Sequence, residues 1–347
     1  MLKRIGILVI FTGLFLASCE NRYAGPGVGP ECTLAWVSYL DGAPNIFYID
    51  LPDGDIQKLT DNPEGAGKWG ISHYGDWVYF GGRHSERMQI FRICKDGTGL
   101  QRLTDEWEFD GNPEVSPCGE KICFVTQRWF FTYRDRELAL MPSDGGDVQR
   151  LTTHEGNDDS HKWSPDGTAI AFVRSGLYGS LSVAVINPDN PSFASIVSPE
   201  GHDAYCPQWS PCGQFIYYVL SGGDRRYIAK SSADAIGEFP ENISGGDFSV
   251  ENIAVSPDGT KIAFQAYIDG RWDIAVIASN GGNLRFIASH PAEDITPCWS
   301  PDGSWIFWVS MRDGNREIYG APLDTGDPVR ITNFAGDDIR PICWPKR

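Results

Sequence analysis

Five aspartates recur at comparable places along the chain, each just ahead of a short segment that ends in tryptophan or is rich in apolar residues. They are Asp110, Asp158, Asp203, Asp294 and Asp338. Carboxylates at a repeated position could form an acidic or mixed-charge pocket for a cation, a basic peptide or a sugar. They could equally pair with neighbouring arginines or accept hydrogen bonds from backbone N–H groups in crowded turns. The sequence leaves both interpretations open.

Histidines offer a second kind of chemistry. His154, His161 and His202 fall in or next to the same stretches, and neutral imidazoles that converge could hold a divalent metal. Against this, the chain has no Gly-x-Ser-x-Gly elbow, no His-Glu-x-x-His, no Walker loop and no dinucleotide fingerprint. We therefore predict no catalytic residue and no cofactor, with a divalent metal as the alternative.

Aromatic residues are concentrated in one irregular segment, residues 127–135. It contains Trp129, Phe131 and Tyr133 between arginines and an aspartate. Aromatic faces combined with charged groups suit sugars or extended peptides, because stacking and hydrogen bonding act together. The competing interpretation is that these rings pack inside the fold.

A repeated turn indicates which elements position these residues. Ser-Pro-Asp-Gly begins at Ser164, Ser256 and Ser300, Ser-Pro-Cys-Gly begins at Ser116 and Ser210, and a degenerate Ser-His-Tyr-Gly begins at Ser72. Pro presets φ and Gly accepts positive φ, so the tetrapeptide predicts a tight reversal between two strands. A period of more than forty residues around one turn is typical of solenoids and propellers.

Each repeat contains four short segments rich in β-branched and aromatic residues, and seven repeats end in a Leu-Thr-like closer. The first repeat lacks an innermost strand, and residues 337–344 have the pattern of one. We therefore predict an all-β, seven-bladed β-propeller of four-stranded blades, with the C-terminal strand completing the first blade.

In such a propeller the acids lie in the loops that lead into the innermost strands, around the mouth of the central channel. The loops between second and third strands reach the same face. They contain the arginines Arg83, Arg87, Arg134, Arg136, Arg174, Arg225, Arg226, Arg271 and Arg312. The Ser-Pro-Asp-Gly turns lie on the opposite face, so we expect binding at the first face.

The N-terminus predicts export. Lys3 and Arg4 precede an apolar stretch, and residues 16–19 read Leu-Ala-Ser-Cys, which resembles the lipobox of bacterial lipoproteins. We predict a signal peptide over residues 1–18, lipidation of Cys19, a flexible tether over residues 19–32 and the propeller over residues 33–347. A lipid on Cys19 would attach the chain to a membrane of the cell envelope, and we expect the outer membrane, facing the periplasm.

The repeat resembles the TolB-type, WD-like propeller repeat of bacterial envelope proteins. The matching segments are Pro-x-Trp-Ser-Pro-x-Gly, at Pro207 and Pro297, and Ser-x-Arg-Asp-Gly-x-x-Glu-Ile-Tyr from Ser310. The resemblance covers residues 33–344 and implies the propeller fold. TolB has an α/β domain before its propeller, and related peptidases have a hydrolase domain after theirs. We expect neither domain in this protein.

A net charge of −17 disfavours nucleic acid as a partner. Two hypotheses for the function remain. The first hypothesis is a lipid-anchored, monomeric envelope propeller that binds a protein, peptide or glycan without catalysis. The alternative is a metal-dependent polysaccharide lyase or hydrolase with its histidines and acids at the channel mouth.

Overall fold

The protein is described here by a computed structural model that covers residues 29–105, 109–129, 135–176, 179–236 and 238–346. These residues form seven four-stranded sheets, one per blade, in which neighbouring strands are antiparallel. The predicted seven-bladed propeller is confirmed. Within the same residues, no helix is long and apolar enough to cross a membrane.

Apart from the last strand, which belongs to blade one, the strands occupy the blades in sequence order. Blade one contains β1 (Cys32–Asp41), β2 (Ala43–Leu51), β3 (Gln57–Lys58) and the last strand, β28 (Asp338–Pro345). Blade two contains β4 (Ala66–Tyr74), β5 (Trp77–His84), β6 (Arg87–Cys94) and β7 (Gln101–Arg102). Blade three contains β8 (Asp110–Val115), β9 (Lys121–Thr126), β10 (Glu137–Pro142) and β11 (Gln149–Arg150). Blade four contains β12 (Asp158–Trp163), β13 (Ile170–Ser175), β14 (Leu181–Ile186) and β15 (Ala194–Ile196).

The last three blades repeat the order. Blade five contains β16 (Ala204–Trp209), β17 (Phe215–Gly222), β18 (Arg225–Ser232) and β19 (Glu241–Asn242). Blade six contains β20 (Ser249–Val255), β21 (Lys261–Ile268), β22 (Arg271–Ala278) and β23 (Arg285–Ala288). Blade seven contains β24 (Asp294–Trp299), β25 (Trp305–Ser310), β26 (Glu317–Pro322) and β27 (Val329–Arg330).

The ring closes in blade one as predicted. β28 pairs with β1, with Leu34 opposite Cys343 and Ser38 opposite Asp338. Trp36 and Leu34 of β1 pack into the same apolar cluster as Phe307 and Val309 of β25, so blades one and seven share a core. This pairing covers the edge of β1, which blade one would otherwise leave open.

Thr and Ser hydroxyl groups form hydrogen bonds with the backbone at the ends of most repeats and in the repeated turn. At six of the seven closers, a Thr or Ser hydroxyl accepts a hydrogen bond from a backbone N–H of the third strand, as from Ile46 to Thr60 at 2.9 Å and from Ile318 to Thr332 at 2.9 Å. In the repeated turn, Ser300 accepts from the N–H of Trp305 at 2.9 Å and donates to Asp302. These contacts make the repeated serines and threonines structural.

Tryptophans join consecutive blades. The indole N–H groups of Trp163, Trp209 and Trp299 each donate to a carbonyl of the preceding blade's innermost strand, at 2.9–3.0 Å. Trp344 stacks on His73 of blade two, with ring centroids 4.7 Å apart. The tryptophan that precedes three of the repeated turns, at Trp163, Trp209 and Trp299, is thus an inter-blade contact, which explains its recurrence at one position of the repeat.

Every innermost strand carries a β-bulge, seen as a shift of register against the second strand. The residue at the bulge has a positive φ, a conformation that is uncommon outside glycine. These residues surround the central channel and are Gly70, Asn112, Ser160, Cys206, Asn252, Thr296 and Arg340. The bulge places one residue of each innermost strand at the channel, and in blade two that residue is a glycine.

Candidate binding site at the channel mouth

Three of the five predicted aspartates are buried in ion pairs. Arg128 reaches the carboxylate of Asp110 at 2.6 Å, Arg174 that of Asp158 at 2.9 Å, and Arg312 that of Asp294 at 3.0 Å. The three carboxylates are almost completely buried. These pairs supply the structural role that the sequence offered as the alternative, and a role in ligand binding for these aspartates stays a prediction.

The other two aspartates differ from this pattern. Asp203 is exposed and accepts a hydrogen bond from the N–H of Leu181 at 2.9 Å. Asp338 is fully buried, and within the described residues it forms no ion pair. Burial raises the pKa of Asp338 to about 7, although Ser38, Thr332 and Trp36 lower it in part. A carboxylate deprived of both water and a cation holds its proton more tightly.

The three histidines do not converge. His161 is buried in the channel wall, where its Nε2 lies 3.0 Å from the carbonyl of Cys123 and burial lowers its pKa. His202 lies 2.9 Å from the carbonyl of Ser221 through Nδ1, and His154 is half-buried. Among the described residues, no three His, Cys, Asp or Glu side chains come together in a way that could hold a metal ion.

The irregular third-blade segment is described only in part. Trp129 is half-buried, packs against the core cluster between blades two and three, and has the guanidinium of Arg150 over its ring at 5.3 Å. Phe131 and Tyr133 lie outside the described residues. A binding role for this segment stays a prediction.

The repeat is broken more strongly in blade two, within the innermost strand. In the other blades one extra residue forms the bulge, whereas β4 pairs Ala66 with Gly82 and then Ile71 with Phe80, which leaves three extra residues. The segment Gly67-Lys-Trp-Gly70 therefore loops out at the channel mouth. Gly67 and Gly70 have φ of 82° and 97°, and a Cβ on Gly70 would lie 2.6 Å from the Cα of Asn112, so glycine is required there.

A cavity of about 500 Å³ opens beside this bulge, on the face of the inter-blade loops. We call it the blade-two cavity. Trp69 meets Phe109 edge to face, with ring centroids 5.3 Å apart, and Gly81 provides the space for Trp69, since a Cβ there would lie 2.7 Å from its carbonyl oxygen. The side chains that line the cavity are Tyr39, Pro44, Glu64, Lys68, Trp69, Arg83, Glu86, Arg87, Met88, Phe109 and Gln127.

One rim of the cavity is a strained turn. Ser85 and Glu86 both have positive φ, at 51° and 67°, in the two-residue connection between β5 and β6. The carboxylate of Glu64 accepts hydrogen bonds from both of their N–H groups, at 3.2 and 3.0 Å. These two hydrogen bonds lower the pKa of Glu64, because they stabilise its ionised carboxylate. The carboxylate of Glu64 therefore stabilises the turn.

The fold and this site define a seven-bladed β-propeller with a mixed aromatic and charged cavity at its channel mouth. Residues 241–346 match the family model described as the TolB beta propeller domain. The chain is 34% identical over 140 residues to an uncharacterized protein of Agrobacterium fabrum, a match that covers 38% of this chain and 47% of the relative. It is 35% identical over 167 residues to the Tol-Pal system protein TolB of Bordetella pertussis, covering 46% and 36%. The protein carries a TolB-type β-propeller, and its matches span less than half the length of these relatives.

Solved structures with low sequence identity share the fold. A puromycin-hydrolyzing peptidase of Mycobacterium tuberculosis superimposes with a TM-score of 0.72 at 15% identity, over 90% of this chain and 53% of that one. TolB from Acinetobacter baumannii gives 0.58 at 17% identity, over 87% and 79%. An oligogalacturonate lyase in complex with manganese gives 0.68 at 15% identity, over 84% and 86%. Such identities establish the propeller and leave function open.

Sequence reasoning placed Arg83 and Arg87 on the correct face but missed Tyr39, Lys68 and Trp69 of the cavity and Arg340 of the adjoining channel. The available signal was the degenerate second repeat, where Ser-His-Tyr-Gly replaces Ser-Pro-Asp-Gly and the strand before it contains Gly67 and Gly70. Two glycines in a strand mark a bulge or a close backbone approach.

Proposed function

We propose that the protein is a lipid-anchored propeller of the cell envelope that acts as a non-catalytic scaffold and binds a protein or glycan partner at the blade-two cavity. The observation that carries this proposal is the three-residue excess in β4, which presents Lys68 and Trp69 at the channel mouth where the other blades carry a single-residue bulge. A departure from a repeat is not needed by the repeated scaffold, so it is available for function.

The composition of the cavity favours recognition. Tyrosine, tryptophan and arginine are the residues that most often dominate binding energy at protein interfaces, and Tyr39, Trp69 and Arg83 line one site. The volume lies within the range of ligand-binding clefts. Trp69 is half-buried and fixed by Phe109 and by the backbone at Gly81, so little side-chain entropy is lost when a partner covers it.

The assignment to the cell envelope is supported by relatives and by the N-terminal sequence. One relative is a Tol-Pal system protein, and residues 1–19 have the pattern of a lipoprotein signal. We place the lipid on Cys19 and the propeller at the outer membrane, facing the periplasm. The tether would let the propeller reach partners near the membrane surface.

Site-specific photo-crosslinking tests the proposal in intact envelopes. A photoreactive amino acid replaces Lys68 at the cavity or, as a matched control, Tyr74 at the opposite end of the same strand. Both positions are exposed, so neither change disturbs the core. We expect a discrete crosslinked partner from position 68 and none from position 74. Equal adducts from both positions, or no adduct from position 68, would contradict the proposal.

The alternative hypothesis of a metal-dependent lyase or hydrolase rests on the histidines of the sequence. His161 does lie in the channel, but its Nε2 already contacts the Cys123 carbonyl, and the described residues hold no cluster of three metal-ligating side chains. The alternative stays a prediction that elemental analysis tests. A stoichiometric divalent ion in the purified protein would favour it over the scaffold.

A further inference from the structure

The described arginines on the inter-blade-loop face of blades three to seven are neutralised. Each borders the connection between a second and a third strand, and each forms an ion pair with a carboxylate. The pairs are Arg128–Asp110, Arg136–Asp159, Arg174–Asp158, Arg225–Asp247, Arg226–Glu251, Arg271–Asp273, Arg312–Asp294 and Arg316–Asp337. On most of this face, therefore, positive charge is matched locally by negative charge.

Blades one and two break this pattern. Lys68, Arg83 and Arg340 form no ion pair within the described residues. Lys68 and Arg83 line the blade-two cavity and are exposed. Arg340 is the bulge residue of β28 and projects into the channel next to the cavity, where its charge acts on the phenol of Tyr39. Lys68 and Arg83 in the cavity and Arg340 beside it thus supply three cations without an ion pair at one site, where Glu64 and Glu86 also lie, in a chain whose net charge is −17.

The aromatic and aliphatic lining narrows the class of ligand. Tyr39, Trp69, Phe109 and Met88 offer apolar contact, whereas only Gln127 among the lining side chains carries a neutral amide. A glycan presents many hydroxyl groups and needs several fixed neutral or acidic partners for them. The lining also has two carboxylates, those of Glu64 and Glu86, and that of Glu64 is already engaged by the N–H groups of Ser85 and Glu86. The site is therefore better matched to a peptide with carboxylates and apolar side chains.

We propose that the blade-two cavity binds an acidic peptide segment of a protein partner, with its carboxylates held by Lys68, Arg83 and Arg340 and its apolar side chains packed on Trp69 and Tyr39. This inference rests on the proposed function and names the partner's chemistry. Charge-assisted hydrogen bonds to carboxylates are the strong ones, and arginine binds them through two parallel N–H groups.

The overall negative charge of the protein does not forbid this. At physiological ionic strength charges are screened beyond about 8 Å, so acids on distant blades act weakly on a peptide in contact with Lys68, Arg83 and Arg340. At low salt, the other acidic residues of the protein would repel an acidic peptide from a distance and lower its association rate.

Fluorescence anisotropy with a labelled oligoaspartate peptide tests the proposal on the complete mature chain. The variants are Lys68→Gln with Arg83→Gln, and Arg340→Gln alone. Arg225→Gln is the matched control, because this exposed arginine lies on the same face but pairs with Asp247. Oligolysine and oligogalacturonate serve as competing probes, and thermal melting confirms that each variant folds.

We expect the wild-type chain to bind oligoaspartate, each cavity variant to bind about tenfold more weakly, and Arg225→Gln to bind as the wild type does. Equal weakening by Arg225→Gln, tighter binding of oligogalacturonate, or no binding of oligoaspartate would each overturn the acidic-peptide assignment. If position 68 still captures a partner that oligoaspartate does not displace, the scaffold function stands and only the class of ligand is wrong.

Discussion

In blade one, Leu40 occupies the position relative to Asp338 at which blades three and seven place an arginine. Asp110 and Asp294 pair across the sheet with Thr126 and Ser310, and the arginine follows two residues later in each case. Asp338 pairs with Ser38, and two residues later the chain has Leu40. The equivalence extends to the backbone, because the N–H of Leu40 donates to the Ser38 hydroxyl as that of Arg128 donates to Thr126. Blade one, which closes the ring, thus has the buried carboxylate of Asp338 but not the arginine that pairs with the equivalent aspartate in blades three and seven.

This difference predicts a pH dependence of stability. The pKa of Asp338 is about 7 in the folded chain, above the value of a carboxyl in an unfolded chain. Between those two values the folded state binds more protons than the unfolded state, so the free energy of unfolding falls as pH rises. Between pH 5 and pH 8, Asp338 should lower the free energy of unfolding of the wild type by about 2 to 3 kcal/mol. We expect this contribution to be absent in Asp338→Asn, as measured by urea unfolding at each pH. An unchanged pH profile in the variant would contradict this origin.

Restoring the missing cation should have a related effect. Leu40→Arg places a guanidinium at the position of Arg128 and Arg312, and Leu40 is already 38% exposed, so the longer side chain has room. The new charge should lower the pKa of Asp338 and make the variant more stable than the wild type at pH 8. Leu40→Gln is the control without charge. If Gln stabilises the chain as much as Arg does, the effect is not electrostatic.

The buried pairs of the other blades should be costly to break. Arg312→Met leaves Asp294 buried without its partner, whereas Arg225→Met frees an Asp247 that is already in solvent. We expect losses of about 3 to 5 kcal/mol for the first and below about 1 kcal/mol for the second, by chemical denaturation. Similar losses in both variants would mean that the burial of Asp294 is not what determines the cost.

Close approach of two innermost strands should make Gly70 intolerant of a side chain. A Cβ at Gly70 would lie 2.6 Å from the Asn112 Cα, whereas one at Gly97, also at positive φ, would meet nothing within 4 Å. The conformational strain of alanine is therefore common to both positions. We expect Gly70→Ala to cost about 1 to 3 kcal/mol more than Gly97→Ala and to disturb binding at the cavity. Equal melting temperatures for the two variants would contradict the close approach.

Lipidation of Cys19 is testable by fractionation of cells that express the complete chain. The wild type should sediment with membranes and take up labelled fatty acid. Cys19→Ser should lose the label and move to the soluble fraction, because one tether would no longer be attached to the bilayer. If the wild-type chain also appears in the soluble fraction, the lipid anchor is contradicted.

The number of blades and their closure could be predicted because both depend on local patterns. Ser164-Pro-Asp-Gly and its relatives specify a turn through the φ preferences of proline and glycine, and the closers recur at one offset from it. The structure adds that these groups form hydrogen bonds within the blade, as Thr332 does with Ile318. A repeat that serves the scaffold is visible in sequence because every unit must satisfy the same backbone groups.

The sequence by itself determined the propeller, the face of the inter-blade loops and the presence of acids and arginines on it. Only the tertiary structure decided which charges neutralise one another. That choice depends on where each bulge shifts the register of an innermost strand, and on closure, which brings Asp338 next to Ser38 from the other end of the chain. One residue more or less at a bulge moves a side chain between wall and channel. Lys68 and Arg340 lie on two of these bulged innermost strands and, like Arg83 on the second strand of blade two, form no ion pair within the described residues.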